Sequence, residues 1–278
     1  MKESYAVLKA TPQLMFFPIV SGIVSLFVSL SFFIPLALST GALHGGVDAK
    51  HLPPTYYVVL FLYYLVSYFV VIFFNSALVS CAHDSLSGIP TTYQKGLQNA
   101  TKHIGKIFAW AVIAATVGSI LRLVAERFGI VGRIVIGLLG MAWTVITYFV
   151  VPLIVLEDAA PFAALKKSGL MLKTTWGEQV IAGFSISMAM GVLTLIGLLP
   201  LGIGIAAIVG GIYFLAVPMF LLAVIYWICV AILSTTLTGI FNTALYVYAS
   251  TGAVPQGFSS DYIQGAFAPK PARKIFGR

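Results

Sequence analysis

Between residues 203 and 249 the chain carries no charged side chain, and this run is too long for one element. As a single helix it would extend about 70 Å, more than twice the ~30 Å hydrocarbon core of a bilayer. It has to break, and it has to lie in lipid. Composition agrees. The 278 residues are 60% hydrophobic and 9% charged, with a mean hydropathy of +1.01; soluble domains carry about 25% charged residues. A net charge of +8 invites a nucleic-acid reading. The basic residues, however, are scattered between apolar runs instead of being gathered into a groove with interleaved aromatics, so nucleic acid is excluded as a partner. Attraction to anionic lipid head groups and the positive-inside rule account for the charge better.

A spanning helix needs about 20 apolar residues. Five such runs fall at about 14–38, 55–82, 105–124, 132–156 and 179–200. The first exceeds the h-region of a signal peptide and is expected to stay as an anchor. In the run 203–249 the break is expected at Pro218. The result is either one span (about 219–249) after a short interfacial or re-entrant piece, or two spans. Charge chooses between them. With six spans and both termini inside, twelve Lys and Arg face one side and four the other; a seventh span would send the basic tail "PKPARKIFGR" outside. The expected fold is therefore all-α: a six-helix polytopic bundle, residues 1–255 forming one transmembrane domain and 256–278 a flexible basic tail. The expected location is a cell inner (plasma) membrane, with both termini cytoplasmic.

Two strings recur. "FNSALVSCAHDSLSGIP" (74–90) is echoed by "FNTALYVYASTGAVP" (241–255), and "SYAVLKATP" from Ser4 by "SGLMLKTTW" from Ser168. The separations are 167 and 164 residues, which predicts a tandem duplication with units at about 1–90 and 164–255 and two spans between them. Four spans separate equivalent points, so the units run parallel, as parallel transporter repeats do.

Within the spans, Tyr57, Tyr64, Tyr68 and Asn75 return to one helical face, and Thr235, Thr238 and Asn242 form a matching stripe. Polar stripes in spans face protein or water, not lipid. The two asparagines are thus expected at one depth, pointing into the bundle, as interhelical hydrogen-bonding groups or as the lining of a path. Small residues alongside, including Gly239 and the row Gly183, Ser187 and Gly191, predict close helix packing.

The segment "PLIVLEDAAPFAALKKSGLMLKTTWG" (152–177) ends the fourth span and alternates apolar residues with Lys166, Lys167 and Lys173 before Trp176. A basic amphipathic helix with an aromatic anchor lies on an anionic membrane surface. A second elbow of this kind is expected before the third span, capped by Thr91 or Thr92. This segment, with "FFNSAL" and the opening "SYAVLKATPQL", resembles uncharacterised bacterial six-span membrane proteins grouped as a domain of unknown function. It is also similar to the membrane domain that precedes some glycerophosphodiester phosphodiesterases. The resemblance implies a multi-pass inner-membrane fold and brings no catalytic residues; the phosphodiesterase domain itself is missing from this sequence.

No nucleotide-binding, zinc-protease, paired-cysteine or serine-hydrolase motif is present. Cys81 and Cys229 both lie in apolar runs and read as small buried hydrophobes. His83, Asp84, His103, Glu157 and Asp158 could meet at the inner face, and His44, Asp48 and His51 share an outer loop, but neither set has a metal-ligand spacing. The expectation is a non-enzymatic protein without cofactor or metal. It would act as a scaffold or accessory subunit against lipid, with a homo-oligomer or protein partner allowed. The alternative is a small transporter or channel near Asn75 and Asn242.

Overall fold

The computed structural model describes residues 2–39, 54–127, 130–175 and 184–259, which are mostly helical, with no strand among them. Eleven α-helices follow one another: α1 (Lys2–Ala10), α2 (Phe16–Ser39), α3 (Pro54–Leu86), α4 (Tyr93–Lys102), α5 (Ile104–Arg127), α6 (Ile130–Ile146), α7 (Val150–Leu156), α8 (Pro161–Thr175), α9 (Phe184–Ile196), α10 (Leu198–Val209) and α11 (Tyr213–Thr251). Among the described residues, six stretches are long and apolar enough to cross a membrane: Pro12–Leu38, Thr55–Leu86, Ile104–Ala125, Gly132–Leu156, Met190–Val209 and Tyr213–Thr251.

The hub is α3, which packs against α2, α4, α5, α7 and α11. It crosses α11 where Gly239 leaves room for Leu78; a Cβ on Gly239 would sit 2.3 Å from Leu78 Cδ2. Close approach through a residue without a side chain is how spans pack when lipid supplies no hydrophobic drive between them. The core lies toward the end of the bundle where residues 3 and 259 meet, since Ser259 donates to Glu3. There Leu14, Phe17, Leu78, Phe149, Leu153, Leu237, Ile240 and Leu245 are fully buried. This is the terminal end of the bundle.

Three short helices close it. Val7 and Leu8 of α1 are buried, and Thr11, just after α1, shares a hydrogen bond with Ser85 at 2.9 Å. α4 starts at Thr92, whose hydroxyl accepts from Lys95 N, and it presses on α3 at Gly96. α8 does not stand apart from the spans. Its Ser168 is fully buried and a Cβ on Gly169 would sit 3.7 Å from Ile146 Cγ2, so the helix runs alongside α6 and α7.

Several expected boundaries move. The run after residue 203 does not break at Pro218. It turns at Gly210–Gly211, where Gly211 has φ +73°, and α11 continues through Pro218 for 39 residues. Pro218 sits early in α11, and its missing N–H removes the bond that Phe214 O would otherwise accept without ending the helix. The fifth span shifts accordingly and is formed by α9 and α10, bent at Gly197. The fourth span is not continuous either: α6 and α7 are separated at residues 147–149. Residues 256–259 belong to the bundle end instead of a free tail, since Gln256 N donates to Leu86 O at 3.0 Å and Phe258 is buried.

Candidate functional site

The break between α6 and α7 follows from Pro152. Its ring opposes the carbonyl of Tyr148 and it brings no N–H to satisfy that oxygen. Three backbone groups then need partners inside the bundle. Ser168 Oγ donates to Ile146 O at 2.6 Å and accepts from Phe149 N at 3.1 Å. Asn242 Nδ2 donates to Tyr148 O at 3.2 Å. Unsatisfied backbone at membrane depth costs several kcal/mol, which explains why polar side chains stand here. The bend at Gly197 is treated alike. Tyr226 Oη donates to Leu193 O at 2.6 Å and Trp227 Nε1 to Thr194 O at 3.1 Å. α11 therefore supplies side-chain donors to both interrupted spans.

On its other side Asn242 faces a groove of about 1010 Å³ between α2, α3 and α11. Asn75, Thr235 and Thr238 line the same groove, together with Ser21 and Ser25 of α2 and Ser234 of α11. Asn242 Oδ1 is buried and has no hydrogen-bond partner. The apolar walls come from Ile23, Leu26, Val71, Ile228 and Ile232, among others.

The tyrosines do not join this groove. Tyr57 is 55% exposed and Tyr68 is 39% exposed, with its hydroxyl against Gly118 of α5. Tyr64 accepts a hydrogen bond from Arg122 of α5, whose guanidinium also lies over its ring, 5.7 Å from the centroid. All four positions share an angular face of α3, but the neighbour covering that face changes along the helix. Toward the terminal end it is α11; farther away it is α5. Of the small-residue row, Gly191 has nothing within 4 Å of a built Cβ, while Gly183 and the Ser187 side chain fall outside the described residues.

A charged cluster lies at the terminal end, just past α7. Glu157 accepts from Tyr246 Oη of α11 at 2.6 Å and pairs with Lys167 of α8. Burial works against ionising Glu157, but Lys167 and the Tyr246 hydroxyl outweigh it and hold the carboxyl below its ordinary range. Asp158 adopts φ +55°, a left-handed conformation that Asp tolerates better than most residues. It pairs with Lys106 at 2.7 Å and His103 at 3.1 Å, and chiefly the Lys106 hydrogen bond keeps its carboxyl low. Asn99 of α4 donates to Ser80 of α3 at 2.9 Å. Lys102 and Lys166 are exposed. The Lys173 side chain and Trp176 lie outside the described residues, as do His44, Asp48 and His51. His83 is 3.9 Å from Asp84 and does not join the Glu157–Asp158 cluster. Among the described residues no three His, Cys, Asp or Glu side chains could hold a metal.

Sequence reasoning missed Ser168, Ser21, Ser25 and Tyr246. One signal was available: Pro152 marks Tyr148 O, four residues earlier, as an oxygen that needs a donor from elsewhere.

Six long apolar helices, two of them satisfied across the bundle by α11, with a charged cluster at one end, define a multi-pass all-α membrane protein. The chain belongs to DUF6159, a family of unknown function that matches residues 54–257. The match begins at α3 and leaves out α1 and α2. No curated protein and no solved structure matches the chain, and the resemblance to the phosphodiesterase-linked membrane domain finds no support.

Proposed function

We propose that this protein is a non-enzymatic membrane scaffold or accessory subunit of an inner (plasma) membrane, holding anionic lipid at the terminal end of its bundle, with both termini cytoplasmic. The observation that carries the reading is the placement of charge. The described part of the chain from α9 onward, residues 184–259, holds no charged residue, whereas exposed Lys2, Lys9, Lys95, Lys102, Lys166 and Lys167 collect at the terminal end. Basic side chains beside an apolar bundle each contribute about 1 kcal/mol near an anionic surface. Glu157 and Asp158 tie α5, α8 and α11 together there, so α8 presents Lys166 from a fixed base.

The tandem repeat belongs to the same proposal. Ser4 and Ser168, equivalent in the two units, are both fully buried, and Asn75 and Asn242 line one groove. The test is native mass spectrometry from phosphatidylglycerol-containing vesicles. Lys102→Gln with Lys166→Gln is expected to lower the retained phosphatidylglycerol, and unchanged retention would defeat the reading.

A second reading, a transporter or channel, is favoured by the groove that contains both asparagines. If it holds, Asn75→Leu abolishes flux in reconstituted vesicles while the protein stays folded.

A further inference from the structure

We propose that the groove between α2, α3 and α11 binds an ester-linked glycerolipid, its ester region at Asn75, Thr235 and Thr238 and an acyl chain along Ile23, Val71, Ile228 and Ile232. This rests on the membrane reading above but not on the lysines.

The hydrogen-bonding pattern of the threonines points to a polar occupant. Thr116, Thr144, Thr147, Thr194, Thr236 and Thr243 each donate their hydroxyl to the carbonyl four residues back, the usual resting place of a hydroxyl in an apolar helix. Thr235 and Thr238, in the same helix as Thr236, make no such bond, and Asn75 makes none either among the described residues. These donors all line the groove. The groove holds no charged side chain to pair with an ionised group, which favours a neutral acceptor. Ester carbonyls accept hydrogen bonds from hydroxyl and amide donors, and they carry no charge.

Tyr246, bonded to Glu157, marks the charged level, and Asn242 lies one helical turn, about 6 Å, farther in. The polar layer of a bilayer leaflet is about 5–8 Å thick, so Asn242 falls where head group gives way to ester, while Thr238 and Thr235 lie about 6 and 11 Å deeper and draw an ester below its usual level. From Asn242 to Ile228 the groove follows α11 for about 21 Å, against about 15 Å for one leaflet of hydrocarbon. Polar lining thins along this path and ends in Leu26, Val71 and Ile228. The volume also suits a ligand, since binding pockets run to about 1,000 Å³.

The experiment is native mass spectrometry of the full chain from phosphatidylcholine vesicles doped with diacylglycerol or with its diether counterpart, which lacks the carbonyls. The wild-type chain is expected to retain the diester form over the diether. Thr235→Val with Thr238→Val is expected to lower diester retention roughly tenfold to thirtyfold, the effect of two hydrogen bonds, without lowering the melting temperature. Thr116→Val on α5 serves as control and is expected to retain lipid as the wild type does. Ile232→Trp, which fills the apolar end, is expected to lose both lipids. Equal retention of diester and diether, indifference to the threonine changes, or a second copy of the chain retained in place of lipid would each overturn the proposal. Loss of phosphatidylglycerol in the lysine variants is a separate readout, so either proposal can fail alone.

Discussion

Gly96 shows how tightly single residues are fitted at the terminal end. A Cβ there would lie 2.6 Å from Cys81 Sγ, 2.7 Å from Ala77 O and 2.9 Å from Phe17 Cζ. Two of those neighbours are backbone or fully buried ring and cannot yield cheaply. Gly96→Ala is therefore expected to destabilise by about 1–3 kcal/mol, measured by thermal unfolding in detergent. Gly105→Ala, with nothing within 4 Å, is expected to be neutral or slightly stabilising, because alanine favours helix. Glu157 makes a different prediction. Its folded value lies below its ordinary 4.5, so the stability it contributes is complete above that value and is lost as pH falls through the lower, folded one. The melting temperature should drop as pH is lowered through this range, and Glu157→Gln should flatten the drop.

Among the elements, α11 has two tasks, and the asparagines separate them. Asn242 donates to the Tyr148 carbonyl, to which Pro152 offers no N–H, whereas Asn75 makes no hydrogen bond among the described residues. Asn242→Leu is thus expected to cost about 1–3 kcal/mol, the penalty for an unsatisfied buried acceptor, and Asn75→Leu much less. Equal losses in thermal unfolding would show that Tyr148 O finds another donor. Ser168→Ala should behave like Asn242→Leu, since it strips both Ile146 O and Phe149 N. The two asparagines were visible in the sequence as a repeated pair in matching stripes. Their unlike partners were not, because partnering depends on which helix is interrupted beside each.

For the molecule as a whole, the orientation proposal predicts that cysteines introduced at Lys102 and at Arg133 label from opposite faces of a sealed vesicle, position 102 from the cytoplasmic side. Labelling from the same face would remove it. Length and hydropathy alone determined that the chain is all-α and crosses a membrane several times, because apolar runs near the bilayer's thickness have no other stable state. The polar stripe on α11 was likewise legible, since helical periodicity fixes which residues share a face. Only the tertiary structure decided that the long final run turns at Gly210–Gly211, that the fourth span is interrupted, and that Asn75 meets α11 while Tyr64 and Tyr68 meet α5. A helix's own sequence sets its face and its weak points. What covers that face, and which neighbour satisfies an interrupted backbone, depends on side chains dozens to hundreds of residues away.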